Sequence, residues 1–175
     1  QSILKIGLPA GFEAIMYSIS NIIVQVSINN FGVDTMAAWT AYSKIDFIFW
    51  MINSAFGISV MTFVGQNYGA GKWDRIRRGT KICLGMALIS AVSVSIILMS
   101  AERFLFGIFV NDAGVVEIGI HMMNVIAPAY LLFAFIEVFS GALRAQGAVV
   151  VSTLITMVGI CVLLSLIHIS EPTRH

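Results

Sequence analysis

Between Lys81 and Glu102 the chain carries no Asp, Glu, Lys or Arg, and the same is true from Ala14 to Val33, from Phe47 to Gly71 and from Ile118 to Ile136. An uncharged apolar stretch of about 20 residues is what an α-helix needs to cross a bilayer core at 1.5 Å per residue. Hydrocarbon offers no water to the backbone, so such stretches must satisfy their own N–H and C=O groups as helices. Composition agrees: 58% of the residues are hydrophobic and 11% are charged, against about 25% charged in soluble domains. The expected fold class is all-α, a polytopic transmembrane helix bundle.

Five apolar segments set out this bundle. The first runs from about Ile6 to Asn30, with Pro9 in its opening turn, where a missing N–H costs little. A turn at Phe31–Asp34 leads to the second, about Ala37 to Val64, which is expected to end in the Gly-rich basic loop GQNYGAGKWDRIRRG. The third spans Lys81 to Ser100 and the fourth Glu117 to Leu143, with Pro128 inside it; the fifth starts near Ala148. Between the third and fourth, Phe104, Leu105, Ile108 and Phe109 repeat at helical spacing beside Glu102, Arg103 and Asp112, the pattern of a short interfacial helix. The final SLIHISEPTRH breaks from everything before it and resembles translated sequencing-adaptor read-through. Residues 1–164 are therefore read as one partial transmembrane lobe, with 165–175 set apart. The opening at Gln1, without a signal-peptide pattern, is expected to lie within a longer protein.

The basic residues orient the bundle. With alternating helices, Lys5, Lys72, Arg75, Arg77, Arg78, Lys81 and Arg144 fall on one side, and Arg103 falls on the other with Asp34, Glu102, Asp112 and Glu117. The positive-inside rule places the basic side, including the loop at 65–80, in the cytoplasm. A net charge of +1 implies no nucleic-acid partner. Cys83 and Cys161 stand far apart in apolar segments and read as packing residues, with no disulfide or metal spacing.

Ionisable groups inside hydrocarbon cost roughly 2.5–3.5 kcal/mol each on insertion scales, so each needs a physical reason. Glu13 and Glu137 lie about 10 Å along the first and fourth helices from the cytoplasmic ends, which puts two carboxylates at similar depth. Tyr17, Asn21 and Gln25 follow Glu13 at four-residue steps, while Tyr130, Glu137 and Arg144 repeat at seven on one face. Lys44 and Asp46, two apart, point to different neighbours. One reading makes these groups a substrate and cation cavity, the other an interhelical polar adhesive. The carboxylates favour the cavity; Asn21, Gln25, Asn53 and Asn124 favour the adhesive, and Tyr17, Tyr130 and Trp50 favour packing. The candidate cation- and substrate-binding set is Glu13, Tyr17, Asn21, Gln25, Lys44, Asp46, Tyr130 and Glu137.

Enzymatic motifs fail on spacing. GQNYGAGK places five residues between Gly65 and Gly71 where a phosphate loop needs four, and Trp73 follows Lys72 in place of Ser or Thr. No HExxH, GxSxG or Cys/His cluster is present, so neither an enzyme nor a resident cofactor or metal is expected.

The stretches LPAGFEAIMYSISNIIVQVSINNFG, AAWTAYSKIDFIFWMINSAFGISVMTFVGQNYGAGKWDRIRRG and SGALRAQG resemble the multidrug and toxic compound extrusion (MATE) family, over Leu4 to Leu164. The most specific element is FVGQNYGAGKWDRIRRG. The resemblance implies about five membrane helices from the second six-helix lobe of a twelve-helix antiporter, from its seventh helix into its eleventh. It implies export of organic, often cationic compounds in exchange for Na⁺ or H⁺ around a cavity shared with a first lobe. Glu13 occupies the position of an acidic cation-binding residue that some branches carry on the seventh helix. Their partner acid on the tenth helix falls near Phe133, which is not acidic; Glu137 lies one turn further on. Alternatives are a lipid-linked oligosaccharide flippase of the same superfamily, for which only Lys44 would supply cavity charge, and a non-transporting membrane subunit.

Overall fold

Ala38, Tyr42, Ile45, Phe49, Asn53, Gly57, Val60, Val64 and Asn67 recur every three or four positions, the helical period, and this mostly apolar stripe is the buried face of the longest helix. The computed structural model describes residues 2–156 and 158. In chain order the helices are α1 (Ser2–Asn30), α2 (Val33–Gly69), α3 (Trp73–Ser100), α4 (Glu102–Phe109), α5 (Ala113–Ile126) and α6 (Tyr130–Ala145), with a 3₁₀ turn at Ala127–Ala129. A further helix, α7, is described over 149–156. The described residues contain no strand.

The spans Val33–Gly69, Trp73–Ser100 and Ala113–Ala145 are long and apolar enough to cross a membrane. Their outward faces carry large apolar side chains such as Ile58, Ile89, Ile96 and Leu132, each about half exposed or more. In water that surface would drive aggregation; in lipid it is the solvated side. The core forms where α2 meets α3, α5 and α6. On α3 the buried positions include Cys83, Ala87 and Ala91, small side chains that let two helices approach closely when lipid supplies no hydrophobic drive.

Two expectations change in detail. The basic loop expected at 65–80 is a three-residue turn, because α2 continues to Gly69 and α3 begins at Trp73. At 37 residues, α2 is about 55 Å long and exceeds a hydrocarbon core of about 30 Å, so GQNYG extends the helix past the apolar span. Gly71 turns the chain at φ +66°, where a Cβ would be strained. The bonds Gly71 N to Tyr68 O, 3.0 Å, and Lys72 N to Asn67 O, 2.9 Å, close the turn.

The segment expected as one helix over 117–143 is instead α5, the 3₁₀ turn and α6. Pro128 has no N–H for the carbonyl four residues back, and its ring crowds that carbonyl. Ser95 Oγ donates to the Ala127 carbonyl at 3.3 Å at this break. Asp112 starts α5 as an N-cap, accepting from Gly114 N at 2.8 Å and Val115 N at 3.2 Å.

Candidate functional site

α2 and α6 run parallel, and their shared seam carries most of the buried polar chemistry among the described residues. At one end Asp46 on α2 meets Tyr130 at the start of α6. The Tyr130 hydroxyl donates to Asp46 Oδ1 in a very short contact, and Trp50 Nε1 donates to Asp46 Oδ2 at 2.8 Å. The Tyr42 hydroxyl lies 3.4 Å from that of Tyr130. Phe49 stacks on the Tyr130 ring at 3.8 Å and 7°, and Trp50 meets Phe133 edge-on at 5.0 Å. Aromatic walls therefore fix the donors around one carboxylate.

Local sequence explains the cage. Tyr42, Asp46 and Trp50 are spaced at four residues and so rise along one side of α2. Tyr130 is fully buried because the break at Pro128 begins α6 beside Asp46. Asp46 has no cationic group within 4.0 Å among the described residues. Its partners are neutral hydrogen-bond donors, an arrangement that holds a carboxylate without neutralising it.

One turn beyond Trp50, Asn53 is buried, and its Nδ2 has no hydrogen-bond partner among the described residues. Then the helices touch. A Cβ on Gly141 would sit 2.7 Å from the Gly57 carbonyl oxygen, and a Cβ on Gly57 would overlap the Glu137 carboxylate. Glu137 accordingly lies against the bare backbone of α2, with Arg144 Nη2 3.6 Å from its Oε1. Ser140, Ser152 and Thr156 continue the polar contacts onto α7: Ser152 Oγ donates to the Ser140 carbonyl at 3.2 Å, and the Ser140 and Thr156 hydroxyls are 3.2 Å apart.

The structure thus brings together Asp46, Tyr130 and Glu137 of the candidate set along one seam. Lys44 is separate: its Nζ lies 5.3 Å from the Phe109 ring centre, a cation–π contact on α4. Tyr17, Asn21 and Gln25 are exposed on α1, and Gln25 Nε2 donates to Asn29 Oδ1 at 3.2 Å. Glu13 lies in α1, but its side chain falls outside the described residues. Asn124, read as adhesive, donates to Glu102 Oε2 at 3.4 Å. Tyr42 was missed by sequence reasoning, although its place four residues before Asp46 was a usable signal. Trp50, read as packing, also donates to Asp46. No group of three His, Cys, Asp or Glu converges among the described residues.

An all-helical bundle with membrane-length spans and a polar cluster enclosed between two of them is a multi-pass membrane protein. The chain belongs to the MatE family, whose family model matches residues 9–168. It is similar to the probable multidrug resistance protein YoeA of Bacillus subtilis, 25% identical over 158 residues, covering 90% of this chain and 34% of that protein. Similarity to the probable multidrug resistance protein YpnP of the same organism is 27% over 161 residues, covering 92% and 36%. Human multidrug and toxin extrusion protein 1 is 23% identical over 128 residues, covering 73% and 22%. The chain spans about a third of the length of these bacterial relatives.

Proposed function

We propose that the full-length protein is a secondary antiporter of the cytoplasmic membrane, and not an enzyme, which exports drugs or other organic, often cationic compounds in exchange for Na⁺ or H⁺. The relatives' names as multidrug resistance and extrusion proteins support the export role. The observation that carries the exchange mechanism is Asp46. A carboxylate at membrane depth costs several kcal/mol, and here it is held by the Tyr130 and Trp50 donors without a cation. Such a group gains by taking up a proton, Na⁺ or a cationic substrate. The closed α2–α6 seam carries Asp46 within one body, and movement of that body against a further lobe changes which side of the membrane reaches the carboxylate. Release then follows access, as antiport requires.

The test is gradient-driven export of a fluorescent cation from proteoliposomes holding the full-length protein. Asp46→Asn keeps the shape and removes the charge. It is expected to cut export about tenfold, a typical coupling free energy between sites, while Asp34→Asn at the helix end leaves it unchanged. Export by Asp46→Asn equal to wild type, under both Na⁺ and pH gradients, overturns the reading. Glu13→Gln is expected to weaken coupling as well; unchanged pH and Na⁺ dependence in that variant removes Glu13 from the mechanism.

A further inference from the structure

A second feature lies away from the α2–α6 seam. On the flank of the α2–α3 pair near the Gly71 turn lies a groove of about 590 Å³. Val60 and Phe63 of α2 and Ile82 and Met86 of α3 form its apolar walls, and Arg75 and Arg78 stand at its end. The α3 contributors Arg75, Arg78, Ile82 and Met86 are spaced at three and four residues, so they form one stripe along the helix. From Arg75 to Met86 the stripe extends about 16 Å, with its charge confined to the first turns.

Gly79 holds the groove's shape. A Cβ there would overlap the Phe63 ring, so the bare backbone lets that ring lie against α3 and the space opens beside it. Ile82 and Met86 are about half exposed, which leaves the groove open sideways to lipid. Neither Arg75 nor Arg78 has a carboxylate within 4.0 Å among the described residues. The two guanidiniums also sit at the N-terminal end of α3, whose backbone dipole adds positive potential there.

We propose that this groove binds an anionic phospholipid, with its phosphate on Arg75 and Arg78 and an acyl chain along Val60, Phe63, Ile82 and Met86. Charge and shape both select this occupant. The planar guanidinium fork suits phosphate oxygens. The walls beyond it are mostly apolar, with the Ser59 hydroxyl already turned to the Ala55 carbonyl and Cys83 the other lining heteroatom besides Met86, which suits a hydrocarbon tail. Basic pockets between membrane helices near the surface are general lipid headgroup sites. A zwitterionic lipid would bring an ammonium group beside two guanidiniums and gain less.

The test is native mass spectrometry of the full-length protein in detergent, titrated with phosphatidylglycerol and with phosphatidylcholine of the same acyl chains. Wild type is expected to retain the anionic lipid preferentially. Arg75→Gln and Arg78→Gln are each expected to weaken retention roughly fivefold, and Arg77→Gln, which removes the same charge outside the groove, to leave it unchanged. Met86→Trp fills the apolar end and is expected to lower lipid retention while Arg75, Arg77 and Arg78 stay native. Equal retention of the two lipids, or an equal loss in Arg77→Gln, overturns the proposal. Displacement of the lipid by inorganic phosphate alone, with no effect of Met86→Trp, assigns the arginines to a free anion and overturns the lipid assignment.

Discussion

Gly141 is the point where α6 presses hardest on α2, because the nearest atom to its missing Cβ is the Gly57 carbonyl oxygen at 2.7 Å. Backbone does not give way, so Gly141→Ala must separate the helices. It is expected to destabilise the protein by about 1–3 kcal/mol, as overpacking does, read as a lower midpoint of thermal unfolding in detergent. Gly57→Ala meets a side chain, the Glu137 carboxylate, which swings aside at lower cost. A Gly57→Ala variant less stable than Gly141→Ala contradicts this account of the seam. Tyr130→Phe removes one donor from Asp46 and keeps the Phe49 stack. Interhelical hydrogen bonds in membrane proteins contribute about 0.6 kcal/mol on average and about 1.7 at most, so the variant is expected to lose stability within that range. At this scale the sequence was partly legible. The seven-residue repeat Tyr130, Glu137, Arg144 placed Glu137 beside Arg144, and the two-residue offset separated Lys44 from Asp46. It did not show that Asp46 would meet Tyr130, because that pairing depends on where α6 begins relative to α2, a long-range fact that no local spacing contains.

Among the elements, the clearest deviation from the sequence pattern is the break at Pro128. No Asp, Glu, Lys or Arg interrupts Ile118 to Ile136, so periodicity alone joins α5 to α6; the proline marks the break only because its missing N–H and ring act on the preceding turn. Pro128→Ala restores the donor. Amide exchange over residues 124–131 is expected to slow in that variant, as read by hydrogen–deuterium exchange, and unchanged exchange would show that another contact, such as Ser95 to Ala127, fixes the break. The shortened basic loop has a different cause. Glycines and charges in GQNYGAGKWDRIRRG suggest a loop by composition, yet Asp74, Arg75, Arg77 and Arg78 are good surface residues for the first turns of a helix leaving the apolar region. Only Gly71, at positive φ, is needed to turn the chain. The pair Arg103 and Glu117, 2.7 Å apart, ties α4 to α5 with both side chains largely exposed. Exposed pairs are worth about 0–1 kcal/mol, so Glu117→Gln is expected to leave the unfolding midpoint nearly unchanged.

For the whole molecule, the membrane bundle was legible because hydrocarbon imposes long uncharged helices, whereas the way the helices assemble was not, since it rests on glycine contacts and a proline break. The proposed orientation has a direct readout. If the basic end of α3 faces the cytoplasm, Lys72→Cys reacts with a membrane-impermeant maleimide in inside-out vesicles and Asp112→Cys reacts only in intact cells; the reverse pattern inverts the topology. A carrier that alternates access needs two bodies to move against each other around a shared site, and this chain spans about a third of the length of its bacterial relatives. Its α2–α6 seam is closed by glycine contacts and stacked rings, so the polar groups there are held by one body. The described outer surface of α1, with Phe12, Ile15, Ile22 and Ile23 each more than half exposed, offers an apolar face for lipid or a further lobe. Vesicles containing only residues 1–175 are therefore expected to show no accumulation of a fluorescent cation under either a Na⁺ or a pH gradient, while vesicles containing the full-length protein do. Gradient-driven accumulation by the short chain alone would mean that one lobe suffices, and would place the moving parts within α1 to α7 themselves.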